Sequence, residues 1–269
     1  MGNKQYVHGY SDREALRLND QAATLDSIIH SDTLFPKGSL VLEAGCGVGA
    51  QTKIIATKNP DSIFTSIDIS DVSIAEARLM AEQIGIKNVR FEQADLYNLP
   101  FEDEIFDSII ICFVLEHLKN PTQVLYELKR VLKKGGTMIA IEGDHGSTFF
   151  YPESKEAYQA IDCQVQLQSQ NGGNSNIGRE LYPLFQSVGL ENTFVSPRMV
   201  YVDASRRNLV EGFIKNTFTA MIEGVGEKAI QEGIIDKPTF EKGIKDLYRT
   251  AETDGVFSYT FFKGFGTKN

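Results

Sequence analysis

The sequence predicts an α/β protein whose mainly parallel sheet is covered by helices on both faces. Short apolar runs alternate with helical segments from residue 39 onward, and this alternation requires right-handed crossovers between parallel strands. The apolar run 40–42 leads through an acid into three alternating glycines, as in a strand that turns sharply into a helix at a ligand site. With 269 residues, 42% of them hydrophobic, the chain is long enough for one domain with insertions.

The first predicted element is a helix from Ser11 to about His30. Ser11-Asp-Arg-Glu14 fits a capping box, in which the hydroxyl and the carboxylate satisfy the first free N–H groups of a helix. An apolar stripe recurs at helical spacing at Leu18, Ala22, Leu25 and Ile29. We therefore assign residues 1–37 to an N-terminal helical cap that packs on the main domain, with Tyr10 as a candidate substrate contact.

The core follows over residues 38–144. Apolar runs predict strands over 39–44, 62–68, 88–94, 106–112 and 137–142. The segments between them predict helices over 50–58 and 71–84, and a third helix that starts at Asn120-Pro121 and is closed by Gly135-Gly136. In such a sheet, ligands bind outside the carboxyl ends of the strands.

The regular alternation stops after Glu142. We predict a lid insertion over 145–176, more core over 177–202, a helical lid insertion over 203–253 and a last core strand within 254–269. The elements expected there are helices near 151–170 and 178–188, a strand near 191–202, two or three helices within 205–252, one of which starts at Pro238, and an aromatic-rich strand near 256–265.

The segment Ser39-Leu-Val-Leu-Glu-Ala-Gly-Cys-Gly-Val-Gly-Ala50 indicates a nucleoside-containing ligand. Gly45, Gly47 and Gly49 permit positive φ and close approach of a ligand, and free N–H groups at the next helix start favour a negatively charged or polar group. Asp68 ends the next apolar run about 20 residues downstream, the usual distance for a carboxylate that accepts two ribose hydroxyls.

The glycine pattern alone does not identify the nucleoside. Gly45-Cys-Gly47-Val-Gly49-Ala50 also satisfies the loose form of a dinucleotide site, so NAD stays open as the ligand. Glu43 is costly beside a pyrophosphate and favourable beside an ammonium group. S-adenosylmethionine carries an ammonium and a sulfonium and no phosphate, so it is the favoured cofactor.

Val41-Leu-Glu-Ala-Gly-Cys-Gly-Val-Gly49 resembles the first motif of the class I S-adenosylmethionine-dependent methyltransferases. Four later segments resemble further motifs of the family, in the family's order. They are Gln93-Ala-Asp95-Leu, Leu99-Pro-Phe-Glu-Asp-Glu-Ile-Phe-Asp107, Leu115-Glu-His-Leu118 and Arg130-Val-Leu-Lys-Lys-Gly-Gly136. Among subtypes, the chain looks most like the methyltransferase domains of ubiquinone and menaquinone biosynthesis. The resemblance implies a Rossmann-like seven-stranded sheet with an antiparallel last strand, to which this chain adds a helical lid.

The resemblance also implies which residues hold the methionyl and ribose parts of the cofactor. Glu43 orients the methionyl ammonium through water, and backbone groups of Gly45, Cys46 and Gly47 line the methionyl and ribose moieties. Asp68 accepts both ribose hydroxyls, which gives strength and orientation together.

The remaining implied contacts surround the adenine and the far side of the methionine. Ile69 packs on the adenine face, while Asp95 and Leu96, after the strand that ends near Ala94, pair with the adenine edge. The carbonyl of Phe113 faces the ammonium, and the neighbours implied beside it are Val114 and His117.

Methyl transfer by in-line displacement needs little acid–base chemistry, because the donor is already activated and alignment with exclusion of water sets the rate. A base matters when the acceptor arrives protonated. Asp144 and His145, just beyond the fifth predicted strand, are candidate bases, since a neutral histidine titrates in the useful range. The alternative is that Asp144-His145-Gly146 is only a turn that leads into the lid.

The composition limits the classes of partner that the protein is expected to bind. The chain carries 36 acidic and 27 basic residues, a net charge of −9, which disfavours nucleic acid. The longest purely apolar run, Ile109 to Leu115, is too short to cross a bilayer, and the N-terminus is polar, so we expect a cytoplasmic protein without a membrane partner. Three scattered cysteines without a C-x-x-C pair predict no metal site.

These observations predict an S-adenosylmethionine-dependent methyltransferase of small-molecule metabolism with a compact acceptor beneath its lid. Two alternatives stay open, an NAD(P)-dependent oxidoreductase and a non-catalytic module that binds S-adenosylmethionine. The sequence identifies neither the acceptor nor the oligomeric state.

Overall fold

The structure, a computed structural model, describes residues 12–269, with side chains from residue 17 onward except that of residue 19. The start of the predicted capping box at Ser11 and the candidate substrate contact Tyr10 lie outside the described residues.

Within residues 12–269, seven strands form one mixed sheet in the order β3-β2-β1-β4-β5-β7-β6. The strands are β1 (Leu40–Ala44), β2 (Ile63–Asp68), β3 (Val89–Gln93), β4 (Phe106–Cys112), β5 (Leu132–Tyr151), β6 (Glu191–Asp203) and β7 (Val256–Thr267). Strands β1 to β5 are parallel, and β7 is antiparallel to both of its neighbours. The predicted sheet is therefore confirmed, including its antiparallel last strand.

Helices flank this sheet and cover one end of it. They are α1 (Asp12–Ile29), α2 (Ala50–Lys58), α3 (Asp71–Ile84), α4 (Pro121–Val131), α5 (Lys155–Gln170), α6 (Leu181–Ser187), α7 (Arg207–Leu209), a π-helix (Val210–Thr219), α8 (Ala220–Gly224), α9 (Gly226–Gln231) and α10 (Lys237–Arg249). The Asn120 side chain caps α4 by accepting the N–H of Gln123 at 3.1 Å, and Asp236 caps α10 through the N–H of Thr239 at 3.0 Å. Within residues 12–269, no helix has the length and apolar character to cross a bilayer.

Strand β5 is longer than the sequence predicted, and it changes two expected boundaries. Gly135-Gly136, expected to close α4, lies inside the strand, because Gly135 donates to the carbonyl of Lys268 at 2.6 Å and Gly136 accepts from its N–H at 3.0 Å. At the other end, β5 continues past the predicted lid boundary at residue 144. After a register shift beyond Asp144, residues 149–151 pair with β7, so Asp144-His145-Gly146 belongs to an irregular strand and is not a turn.

The N-terminal helix is fastened to the sheet by buried contacts. Leu25 and Ile29 of α1 are completely buried in the main core. Just beyond the helix, the ammonium of Lys263 on β7 lies 2.7 Å from a carboxylate oxygen of Asp32 and 2.7 Å from the hydroxyl of Thr33. It also donates to the carbonyl of Ile29 at 3.3 Å, which places α1 over the carboxyl end of the sheet.

The buried Lys263 contact predicts a loss of stability on substitution. Lys263→Met leaves Asp32 and Thr33 without their shared ammonium, and we expect the free energy of unfolding to fall by about 2 kcal/mol. Urea denaturation measures the change. Lys37→Met, which removes an exposed ammonium 3.5 Å from Asp61, is the matched control and should have little effect. Equal losses in the two variants would contradict the anchoring role.

Candidate functional site

The carboxyl ends of five parallel strands meet at one edge of the sheet and bring most of the predicted site residues together. Strand β1 leads into the glycine loop, β2 ends at Asp68, and β3 leads to Asp95. Strand β4 leads to Phe113, and His145 lies on β5 beside these loops. This is the edge where ligands bind in open parallel sheets.

The three glycines of the loop are each required by the backbone. Gly45, Gly47 and Gly49 have φ values of 78°, 51° and 84°, a region that side chains with a Cβ rarely adopt. A Cβ at Gly45 would also lie 2.5 Å from a methyl carbon of Val114. A Cβ at Gly47 would meet no atom of the described residues within 4 Å, so the space above Gly47 is open to a ligand.

The N–H groups of this loop are largely used within the protein. Gly45 and Cys46 both donate to the carbonyl of Ile67, at 2.8 and 2.9 Å, and Gly47 donates to Oδ2 of Asp68 at 2.8 Å. These three residues therefore offer no free N–H group to a ligand, because the loop folds back on the end of β2. A pyrophosphate finds no free N–H group on them. The donors predicted at the start of α2 are not among these N–H groups.

Asp68 is held with its carboxylate facing the loop. Its Oδ2 accepts from Gly47, and its Oδ1 accepts the N–H of Ser70 at 2.9 Å. A carboxylate oxygen has two lone pairs, so each oxygen keeps a position for a hydroxyl donor. The neighbouring Ile69 is 48% exposed and borders this position.

The loop after β3 lies directly beside Asp68. The N–H of Ala94 donates to the Asp68 carbonyl at 2.9 Å, which joins the two loops. Asp95 is exposed, and its Oδ1 accepts the N–H of Tyr97 at 3.0 Å, whereas Leu96 is buried. The structure thus brings the predicted ribose and adenine contacts next to each other.

Glu43 lies beneath the glycine loop and is 3% exposed. Its Oε2 accepts from the hydroxyls of Thr52 and Ser66, both at 2.6 Å. Burial raises the pKa of Glu43 to about 7, against the lowering effect of the two hydroxyls, and the charge of Asp68 raises it further. Burial also raises the pKa of the Cys46 thiol far above its usual range, so this thiol stays protonated at neutral pH.

The turn after β4 depends on a buried acid that the sequence did not single out. Phe113 has a φ of 59°, which is uncommon for a bulky residue and marks stored backbone strain. Oε1 of Glu142 accepts the N–H groups of Val114 at 3.0 Å and Leu115 at 2.8 Å and so fixes this turn. Burial, and next the charge of Glu116, raise the pKa of Glu142 well above its usual value.

Asp144 is engaged in an ion pair and is a poor candidate base. Its two oxygens accept from Nε and Nη2 of Arg179 at 2.8 and 2.6 Å, and its side chain is only 3% exposed. The guanidinium occupies both oxygens of this carboxylate, so an acceptor reaches it only by displacing the arginine. No local sequence pattern indicates this partner, which lies 35 residues away.

His145 is placed differently, and one of its ring nitrogens, which is itself buried, has no hydrogen-bond partner among the described residues. Its Nδ1 lies 3.1 Å from the carbonyl of Ser175 and 3.2 Å from the hydroxyl of Tyr259. A carbonyl only accepts, so a hydrogen on Nδ1 satisfies this contact and leaves the lone pair on Nε2. Nε2 has no hydrogen-bond partner among residues 12–269. Burial lowers the pKa of His145, against the raising effect of the Glu116 charge, and so favours the neutral ring.

A cavity of about 60 Å³ lies next to this histidine. Residues of α1, the π-helix and α8 line one side of it, and residues of β5, β7 and the turn after β4 line the other. The residues that line it are Arg17, Leu18, Gln21, Phe113, Glu116, His117, Gly143, His145, Phe213, Thr217, Phe218, Met221, Tyr259 and Phe261. Phe113 lies between this cavity and the turn at Val114, so the cavity adjoins the crevice above the glycine loop.

His117 faces this cavity and not the adenine side. Its Nε2 lies 3.6 Å from Oε1 of Glu116, and its Nδ1 lies 3.3 Å from the amide nitrogen of Gln168 on α5. Helix α5, the main element of the predicted lid insertion over 145–176, therefore supports the cavity from behind.

Several cavity residues escaped the sequence analysis. Glu116 stood inside a quoted motif without a role, and Glu142 was noted only as a strand end. Tyr259 stood in the predicted aromatic-rich last strand without a role of its own, and its contact with His145 joins residues 114 positions apart. A Cβ at Gly143 would lie 2.3 Å from the Tyr259 hydroxyl, so that glycine was the local signal for a close approach.

Comparison with known proteins identifies the family. A family model described as a methyltransferase domain matches residues 36–189, more than half of the chain. The chain is 32% identical over 218 residues to an uncharacterized 37.1 kDa protein in transposon TN4556 of Streptomyces fradiae, covering 76% of this chain and 61% of that protein. It is 34% identical to the demethylmenaquinone methyltransferase of Tropheryma whipplei, covering 43% of this chain and 46% of the enzyme. The chain thus spans less than two thirds of these relatives.

The fold is also that of a solved structure. The protein YcgJ from Bacillus subtilis superposes with a TM-score of 0.58 at 16% sequence identity, covering 92% of this chain and 98% of that one. At this identity the likeness concerns the fold alone.

The buried Glu43 predicts a distinctive pH dependence of stability. Its pKa of about 7 lies above the 4.5 of an ordinary glutamate, so the folded protein holds this proton more tightly than the unfolded chain. The resulting stabilisation is complete below about pH 4.5 and is lost as pH rises through 7. Relative to Glu43→Gln, wild type should lose about 3 kcal/mol of unfolding free energy between pH 4.5 and 7.5 in urea denaturation.

The control for this measurement is Glu102→Gln, which changes an exposed glutamate before β4. Its stability curve should run parallel to that of wild type. Parallel curves for Glu43→Gln and wild type would show that the Glu43 carboxyl is not perturbed.

Proposed function

The chain belongs to the class I S-adenosylmethionine-dependent methyltransferases, and on that basis we propose that it methylates a small-molecule acceptor held in the cavity beneath the lid. The observation that carries this proposal is the cavity beside His145, which adjoins the crevice above the glycine loop. A cavity roofed by α1 and the π-helix is suited to a compact acceptor and excludes water from the transfer. A cytoplasmic location and a role in small-molecule metabolism are part of the same proposal.

S-adenosylmethionine is the cofactor of this family, and it supplies an activated methyl group on a sulfonium. The residues present fit it. The open space above Gly47 and the two unsatisfied oxygen positions of Asp68 suit a ribose with two hydroxyls. Exposed Ile69 and Asp95 border the same crevice and suit an adenine face and its amino group.

We assign the proton transfer to His145. With a hydrogen on Nδ1, its Nε2 accepts the proton that a protonated acceptor must lose before or during transfer. The Tyr259 hydroxyl and the Ser175 carbonyl orient the ring, so His145 is in place before an acceptor arrives. The ion pair with Arg179 removes Asp144 from this role.

An NAD(P)-dependent oxidoreductase is a weaker proposal for this site. A pyrophosphate needs free N–H donors, and those of Gly45, Cys46 and Gly47 are occupied. Glu43 beneath the loop adds a carboxyl group where a phosphate is expected. A non-catalytic module would use the same cofactor residues, and it would differ in making no labelled product.

The overall proposal is tested with S-adenosylmethionine that carries an isotopic label on its methyl group. Incubation with fractionated small-molecule extracts should yield one or a few labelled small products. Labelled RNA or protein would contradict the acceptor class. Cofactor binding with no labelled product from any fraction would favour the non-catalytic module.

Asp68→Asn tests the ribose contact. The amide offers one acceptor oxygen in place of two, and we expect the affinity for S-adenosylhomocysteine to fall at least about tenfold, which corresponds to about 1.4 kcal/mol. Isothermal titration calorimetry measures this change. Asp61→Asn, at an exposed position before β2, should bind as wild type does. Unchanged affinity in Asp68→Asn would remove the assignment.

His145→Asn tests the base. We expect kcat to fall about 100-fold once an acceptor is identified, with the affinity for S-adenosylhomocysteine unchanged. In wild type, kcat should be level near neutral pH and fall only at acid pH, because the pKa of His145 is lowered. A variant whose kcat matches wild type across this range would exclude His145 as the base.

A further inference from the structure

The cavity beneath the lid is lined by an unusual combination of side chains. Five aromatic rings line it, from the turn after β4, the π-helix and β7, namely Phe113, Phe213, Phe218, Tyr259 and Phe261. Neighbouring rings lie with centroids 4.8 to 6.0 Å apart in tilted or edge-on arrangements. Several ring faces and edges are therefore presented to one small space, with room for about four water molecules.

Among the described residues, Glu116 contributes the one carboxylate that lines this aromatic space. Its side chain is 14% exposed. Its carboxylate has two contacts at the back of the cavity, the amide nitrogen of Gln168 at 3.3 Å from Oε2 and the imidazole Nε2 of His117 at 3.6 Å from Oε1. Both contacts are long for hydrogen bonds to a carboxylate.

Gln168 is itself fixed, so it supports Glu116 from a defined position. Its Oε1 accepts from the amide of Gln164 at 2.9 Å and from the hydroxyl of Ser175 at 2.8 Å. Its amide nitrogen also donates to the backbone carbonyl of Glu116 at 2.8 Å. These contacts hold the carboxylate in place, and among them only the His117 imidazole becomes a cation, when it is protonated.

The other charged and titratable groups on this space are Arg17, His117, His145 and Tyr259. Arg17 comes from α1 on the lid side, where its Nη1 donates to Gln21 at 3.1 Å. Tyr259 is held neutral because burial raises the pKa of its hydroxyl well above the usual value. Glu116 is therefore the one anionic group on the cavity wall within the described residues.

A partly desolvated carboxylate among aromatic rings is costly unless a cation joins it. Aromatic faces attract cations as well, and they do so most strongly for alkylammonium groups that carry little water. A neutral phenol or quinone would satisfy the ring faces and add no positive charge beside the carboxylate. The two features together therefore select a small organic cation.

We propose that the acceptor is a small amine, whose ammonium binds between the Glu116 carboxylate and the aromatic walls formed by Phe113, Phe213 and Phe261. This inference rests on the proposed methyltransferase function and names its substrate class. His145 on the same wall takes one proton from the ammonium at Nε2, which frees the nitrogen lone pair. The nitrogen then forms a bond to the methyl carbon as the sulfur–carbon bond breaks and leaves its electron pair on sulfur.

Choline and its neutral isostere 3,3-dimethyl-1-butanol test the cation preference without any turnover. Both are titrated by calorimetry into protein saturated with S-adenosylhomocysteine. We expect choline to bind at least about tenfold more tightly than the isostere, since the two differ only in charge. Equal binding, tighter binding of the isostere, or no binding of choline to the saturated protein would overturn the proposal.

Substitutions in the cavity test which residues produce the preference for choline over its isostere. Glu116→Gln should lower choline affinity at least tenfold and leave binding of the isostere and of S-adenosylhomocysteine unchanged, whereas Glu102→Gln, the matched exposed control, should change none of them. Phe261→Leu should also weaken choline binding. If Glu116 instead pairs with Arg17 and so holds the lid in place, Glu116→Gln still prefers choline over the isostere, and the proposal is wrong.

Two further results distinguish failure of the proposed function from failure of the amine proposal, and a free amine from a lipid headgroup. Failure of wild type to bind S-adenosylhomocysteine would refute the proposed function and not only the amine. Phosphatidylcholine vesicles distinguish a free amine from a lipid headgroup with the same chemistry. Because the cavity lies beneath a lid, we expect the vesicles not to displace choline, and displacement would overturn the assignment to a free amine.

Discussion

The carboxylate of Asp68 is the contact on which the cofactor crevice depends. It accepts from Gly47 across the loop and from Ser70 at the start of α3, so one side chain fixes the end of β2 to the turn after β1. The N–H groups of Gly45 and Cys46 donate to the carbonyl of Ile67, the residue that precedes Asp68. This arrangement occupies the N–H groups of Gly45, Cys46 and Gly47, and it leaves carboxylate lone pairs for hydroxyl donors.

Buried acids fix the other turns of the same edge. Glu43 lies under the glycine loop on two hydroxyls, and Glu142 holds the strained turn at Phe113 through two backbone N–H groups. Burial of each acid costs free energy, and the raised pKa values of both express that cost. Both acids lie where backbone geometry has to be held to a few tenths of an ångström, beside the crevice above Gly47 and the cavity next to His145.

Local signals made much of this arrangement predictable. The glycine spacing and the distance to Asp68 gave the loop, and capping residues such as Asn120 gave the helix starts. Features that depend on distant partners were not predictable. Strand β5 extends because β7 pairs along it, more than 100 residues later in the chain, and both oxygens of Asp144 are occupied by an arginine 35 residues further along the chain. The π-helix over 210–219 carries no sequence signal distinct from that of an α-helix, yet it supplies two of the aromatic walls.

The central claim is that the crevice above Gly47 binds an adenosyl group attached to an amino acid and has no place for a pyrophosphate. A crystal structure of the protein grown with S-adenosylhomocysteine and NAD together, at equal concentrations, tests it most directly. The account predicts S-adenosylhomocysteine in the crevice, with both ribose hydroxyls on Asp68. Density for NAD, with its pyrophosphate against the glycine loop, would contradict it.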